Sequence, residues 1–321
     1  MKILVTGGAG FIGSNLCEAL LMMGQEVVCL DNFITSSKRN LDLCSASTNF
    51  ELFEGDIRSI SDCKRAMEGC QAVVHLAALG SVPRSIHDPL SSNSINIDGF
   101  LNVIHTAKEI NIQRFVFAAS SSTYGDSTSL PKKEEIIGNP LSPYAVGKYV
   151  NELYAHVYHL NYNFPYIGLR YFNVFGRRQD PNGAYAAVIP KFINQCLQGE
   201  SPVINGDGSN TRDFTHIDNV VEGTIKALMN NKPEAQHQIY NLAYGTSTSL
   251  NELLAIIREA VQHRDPRIEL KEVVHGPCRQ GDIPHSLASI EKIRHYLEYQ
   301  PVVSVREGIQ KTVDYMMGLE V

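Results

Sequence analysis

The chain has no Cys-x-x-Cys pair, no long apolar run and no excess of basic residues. Its seven cysteines, at positions 17, 29, 44, 63, 70, 196 and 278, are odd in number and scattered. Several lie in apolar runs, as Cys29 does in VVCL, and read as buried free thiols of a reducing compartment. No run approaches the ~20 residues of a membrane span. Glycines interrupt the opening MKILVTGGAG too early for a signal h-region. A cytoplasmic protein with no membrane partner is expected. A net charge of −6 argues against broad phosphate-backbone binding, so no nucleic acid is expected as partner. Any anionic ligand must be held by a local arrangement of groups. The eleven histidines are scattered, and His156 and His159 on one helical stretch lack further ligands at metal spacing; no metal is expected. Repeats and low-complexity tracts are missing too. One further absence is local. FAASSSTYGD, Phe117 to Asp126, strings together serines, a threonine and a tyrosine with no carboxylate until Asp126.

What is present is the balance of a globular protein, 43% hydrophobic and 19% charged over 321 residues, enough for one large or two medium domains. Short apolar runs without alternation predict strands at 2–6, 26–30, 50–54, 72–76, 115–119 and 166–170. Helical patterns fall between them at 12–23, 61–68, 97–110 and 144–160. Strands that alternate with helices in this way imply right-handed crossovers and a parallel sheet covered on both faces. The expected fold is α/β, a Rossmann-type doubly wound sheet with a smaller C-terminal α/β lobe. After Asn173 the rhythm breaks into loop-rich stretches such as GRRQDPNG and NGDGSN. Residues 1–173, with returning segments at about 213–245, are assigned to the sheet domain, and 174–212 with 246–321 to the second lobe. HQIYNLAYG reads as a strand that rejoins the sheet. Ser249 with Glu252 predicts a capping box.

KILVTGGAGFIGSNL is a strand, then Gly8-x-Gly10-x-x-Gly13, then an apolar helix; Gly7 adds a second glycine spacing. Such glycines allow a tight turn and let backbone amides approach a pyrophosphate at the helix N-terminus. Asp31 closes the next strand, where its carboxylate would accept hydrogen bonds from the adenosine ribose and repel a 2′-phosphate. NAD is therefore favoured over NADP. Asp56 and Ile57, after the third strand, would flank the adenine.

In NPLSPYAVGKYVNEL, Ser142 and Pro143 begin a helix that carries Tyr144 and Lys148 on one face, four residues apart. A free tyrosine ionises near pH ~10, too high for a base at neutral pH. A neighbouring ammonium and an oxidised nicotinamide would favour the phenolate. Ser120, Ser121 and Ser122 leave the preceding strand at its carboxyl end, where open α/β sheets bind ligands.

Taken together, TGGAGFIG, the Asp31–Asn32 pair, GDI at 55–57, HLAA at 75–78, SSS…YG, YAVGK, RYFNVFG and RDFTHIDN resemble the extended short-chain dehydrogenase/reductase family. The likeness is to its nucleotide-sugar epimerases, and within them to UDP-N-acetylglucosamine 4-epimerases of bacterial surface-polysaccharide pathways. It covers nearly the whole chain. By resemblance, Tyr144 is the base, Lys148 its partner, and Ser120 the hydroxyl on the sugar 4-oxygen, with Ser121 and Ser122 lining the same pocket. A run of three serines leaves that register open by one residue. Phe11 and Ile12 would meet the NAD pyrophosphate; Asn32, Leu76, Ala77 and Ala78 would line the cofactor, and Tyr171 and Phe172 the nicotinamide. Asn173, Ala187, Val188, Ile204, Asn205, Arg212, Arg279 and Asp282 would hold the UDP-sugar. Gly147 departs from the usual serine of Y-x-x-S-K, outside the proton path.

The resemblance implies oxidation at C4, rotation of the keto sugar and reduction on the other face, with NAD regenerated. Related dehydratases and decarboxylases place Asp or Glu beside the catalytic hydroxyl; Ser121, Ser122 and Thr123 are not acids near neutral pH. A small residue at Ser286, where a tyrosine would exclude an N-acetyl group, implies UDP-GlcNAc and UDP-GalNAc as substrates, with UDP-Glc and UDP-Gal as a further pair. Uronic-acid sugars and a decarboxylase or dehydratase remain alternatives. A homodimer through the helices at 96–108 and 144–160 is implied as well.

Overall fold

A computed structural model describes residues 1–182, 186–277 and 283–319. Its framework is a seven-stranded, all-parallel sheet. The first six strands are β1 (Lys2–Thr6), β2 (Glu26–Asp31), β3 (Phe50–Glu54), β4 (Ala72–His75), β5 (Arg114–Ser120) and β6 (Ile167–Tyr171). The seventh, Gln238–Leu242, pairs with β6 as expected, giving the order Gln238–Leu242, β6, β5, β4, β1, β2, β3. The doubly wound reading thus holds, and the predicted strands lie within a residue of the observed ones.

The order reverses between β1 and β4, so the loops that leave those two strands diverge and open a crevice. Each face of the sheet is sealed by helices. Helix α1 (Phe11–Met22) and the Ile217–Met229 helix bury Leu16, Leu20, Val220 and Leu228 on one side. On the other, Phe100 packs edge-on against Phe117 at 5.3 Å between ring centroids, near Val103, Ile104 and Ala155. A third cluster, built on Phe192, Leu253, Ile257 and Ile309, forms the core of the second lobe. Ile293, Leu297 and Tyr299 join the sheet-side cluster instead, although they follow residue 246.

One stretch carried no expectation, and one expectation needs correction. The stretch after β4 forms helices at Val82–His87 and Pro89–Asn93, followed by a π-helical turn at Ser94–Asp98. Pro83 and Pro89 stand in the first turns, where a missing amide costs nothing, so prolines that look like breakers start helices here. At Ser249 the side chain accepts the Glu252 amide at 3.1 Å, one half of the expected box. Both halves are found at Ser304 and Glu307.

Candidate active site

A cleft of about 600 Å³ opens at the carboxyl ends of β1, β4 and β5. Its floor is the glycine loop. Gly7 has φ +69°, and a Cβ there would come within 2.7 Å of the Ala77 backbone. A Cβ on Gly13 would sit 2.2 Å from the Gly7 carbonyl. These positions admit only glycine, and in return the loop presses on the Leu76–Ala78 wall. Gly10 caps α1 without a side-chain bond. The first-turn amides of Phe11, Ile12 and Gly13 have no partner within a helix by geometry and stand on the cleft wall. Oriented amides at a positive helix end, with no bulk above them, fit a dinucleotide diphosphate.

The wall is held by a buried hydrogen-bond chain. Thr6 Oγ1 accepts the Ala77 amide at 3.2 Å and shares a hydrogen bond with His75 Nδ1 at 2.8 Å. Burial, aided by the Lys148 charge, pushes His75 down to about 3, so its ring is neutral. Asp31 accepts the amides of Ala9 and Phe33, both at 2.9 Å, and the Ser36 hydroxyl at 2.7 Å. Asn32 lines the cleft and donates to Asp56 at 2.9 Å. Ile57 lines it too, whereas Asp56 is engaged outside by Arg58, whose hydrogen bonds hold the carboxyl down at about 2.

Ser142 caps the Pro143–Tyr162 helix by accepting the Ala145 amide at 3.1 Å. From its first turns Tyr144 and Lys148 enter the cleft and meet Ser120 and Ser121 at the end of β5. Lys148 is buried and donates to the Ala118 carbonyl at 2.7 Å. Burial drives its ammonium down to about 8, opposed by Glu152. Burial also pushes the Tyr144 phenol above its ordinary range, and a hydrogen bond with Ser120 opposes that. This departs from the expected lowering by lysine. The ammonium points at a backbone carbonyl and lies 5.9 Å from the tyrosine ring centroid.

Tyr171, Asn173 and Ala187 complete the far wall. Other expected residues lie off it. Ser122 donates its hydroxyl to Ser120 Oγ at 2.9 Å and so supports its neighbour. Phe172 is fully buried against Tyr124, 5.9 Å between ring centroids, away from the cleft. Val188 begins the helix that follows Ala187, Ile204 is buried in the second-lobe core, and Asn205 ends that strand. Arg212 donates to the Thr211 and Pro284 carbonyls, and the Ser286 amide to the Thr211 carbonyl at 3.1 Å. Arg279 and Asp282 lie outside the described residues.

The lining residues that escaped the sequence reading include Arg84, Gln179 and Asp180. Arg84 and Lys148 are the cations among the described lining residues, and Asp31 and Asp180 the acids. Arg84 was hidden behind the prolines that disguised its helix. Gln179 and Asp180 sit in a loop fastened to α1, where Glu18 bonds both Arg177, at 3.0 Å, and Arg178.

Comparison with known proteins agrees with this geometry. UDP-glucose 4-epimerase of Mycolicibacterium smegmatis is 36% identical over 317 residues, covering 98% of each chain. A solved UDP-N-acetylglucosamine 4-epimerase from Methanobrevibacter ruminantium, in complex with UDP-N-acetylmuramic acid, is 37% identical with a TM-score of 0.91, covering 99% of this chain and 98% of that one. A UDP-glucuronic acid 4-epimerase from Bacillus cereus, in complex with UDP-glucuronic acid and NAD, is 32% identical with a TM-score of 0.89, covering 99% of both. Residues 3–243 match the NAD dependent epimerase/dehydratase family over the glycine loop, the serine row and the Tyr144 helix alike. The chain belongs to that family, and its cofactor is NAD.

Proposed function

We propose that the protein is a UDP-sugar 4-epimerase acting on UDP-GlcNAc and UDP-GalNAc. The observation that carries this is the convergence of Ser120, Tyr144 and Lys148 on the cleft that begins at the glycine loop. NAD, when bound along the glycine loop with Asp31 at its ribose, supplies a reversible hydride acceptor for C4 of the sugar. The chain handles the proton. Tyr144, as phenolate, takes it from the 4-hydroxyl while Ser120 donates a hydrogen bond to the 4-oxygen, and Lys148 supplies a nearby positive charge. Tyr144 gives the proton back when the sugar is reduced on its other face. No second acid is required. Among the described lining residues the carboxylates are Asp31, at the expected ribose end, and Asp180, on the loop beyond β6. That supports epimerisation over dehydration or decarboxylation, which need an acid or base beside the serine.

The N-acetyl preference rests on the small side chain of Ser286 and on likeness to the Methanobrevibacter enzyme. The uronic-acid reading has one observation in its favour, a cation at Arg84 on the cleft wall. The proposed assembly is a homodimer in the cytoplasm. The test is a product assay on UDP-Glc, UDP-GlcNAc and UDP-GlcNAcA without added cofactor, repeated with Ser286→Tyr. The expected result is epimer from UDP-GlcNAc with no net NADH, and loss of that activity in the variant. Release of water or carbon dioxide would overturn the reaction type. N-acetyl turnover that survives in Ser286→Tyr would overturn the specificity.

A further inference from the structure

The Pro143–Tyr162 helix carries a further titratable group on its inner face. Glu152 follows Lys148 by one turn, and its side chain is 6% exposed. Both its oxygens accept from Arg170 on β6, Nε to Oε1 at 2.8 Å and Nη2 to Oε2 at 2.7 Å. Arg170 is 4% exposed, and its third nitrogen donates to the Glu134 carbonyl at 3.0 Å. Its guanidinium also lies 4.8 Å from the centroid of the Tyr124 ring. Tyr124 ends the turn that begins at Ser121, and its hydroxyl donates to Asn241 at 2.6 Å. One buried chain of contacts therefore runs from the lysine's helix to the serine turn.

Such a pair gains little stability over an apolar replacement, since desolvation offsets the attraction. Its place beside Lys148 offers a second role. The titratable and charged groups around Lys148 are Tyr144 and Glu152 on its own helix, His75 on β4, and Arg170 on β6 behind Glu152. His75 is neutral, so Glu152 is the anion that opposes the cost of burying the ammonium.

We propose that Glu152, oriented by Arg170, is a positioning residue that keeps Lys148 a cation and ties its helix to the serine turn. This rests on the reading of Tyr144 and Lys148 as the proton-handling pair. Lysine must be charged to act, so activity falls as pH rises through its pKa. Without the glutamate charge that fall comes at lower pH. A merely structural ion pair would lower the rate equally at every pH.

The experiment measures kcat against pH, with UDP-GlcNAc, for the wild type, Glu152→Gln and Glu152→Asp, with bound NAD quantified in each. Glu152→Gln/Arg170→Gln replaces the single variant if an uncompensated arginine prevents folding. In parallel, NMR of lysine-labelled protein follows the Lys148 titration, assigned by its loss in Lys148→Arg. The expected result is an alkaline limb and a Lys148 titration displaced downward by about one pH unit in the glutamine variant, tenfold in the ionisation constant, with both restored in Glu152→Asp. A titration that stays at the wild-type pH in a folded, NAD-loaded glutamine variant would overturn the proposal. The NMR arm needs no turnover, so an absent epimerase activity would count against the functional reading alone.

Discussion

Ser120 accepts the amide of Ser122 at 3.2 Å and its hydroxyl at 2.9 Å, so its own proton is left for the Tyr144 side of the cleft. From sequence the three serines were interchangeable within one residue; the strand end and the turn that follows it distinguish them. Ser120→Ala is expected to lower kcat by ~10²-fold, in the range of a positioned proton-transfer partner, with NAD content unchanged. Ser121→Ala should lose less, as initial rates on UDP-GlcNAc would reveal. A larger loss in Ser121→Ala would reassign the contact. The tyrosine and lysine were readable because a four-residue spacing on one helix is local. Their ionisation was not, because it depends on burial and on where the ammonium points.

At the scale of elements, the β1–loop–α1 unit was legible almost residue by residue, since each glycine answers a nearby steric demand. The Gly13 position tests this. Alanine there would put a Cβ 2.2 Å from the Gly7 carbonyl, so the loop must shift away from the diphosphate position. Gly13→Ala is expected to purify with little bound NAD and to lose ~1–3 kcal/mol of stability, the usual cost of overpacking. Released nucleotide and a denaturant melt would check both; full NAD occupancy would contradict the assigned role of the loop. The helices after β4 were not legible, because prolines in a first turn look like breakers in sequence. With them went Arg84. The loop with Gln179 and Asp180 was hidden for another reason. It is placed by Glu18, an exposed-looking charge on α1 that finds its two arginines only after folding.

For the molecule as a whole, the helix that brings Tyr144 and Lys148 to the cleft turns an apolar face outward. Leu153 is 48% exposed, Val157 46% and Leu160 65%. Apolar groups this exposed along one face support the proposed homodimer. Light scattering at micromolar concentration is expected to report a dimer for the wild type and a monomer for Leu153→Lys/Val157→Lys. A monomeric wild type would remove the proposed assembly.

The sequence by itself determined the parallel sheet, the glycine loop, the acidic residue after β2 and the Tyr-x-x-x-Lys helix. Each is written in periodicity or spacing over a few residues, where backbone geometry leaves few choices. Tertiary structure alone decided which serine reaches Tyr144, that Arg84 and Asp180 line the cleft, and that Phe172 turns into the core. It also set the buried pair of Glu152 and Arg170, eighteen residues apart, behind Lys148. Those outcomes depend on packing between segments distant in the chain, and on the dielectric that packing creates, which no local pattern encodes.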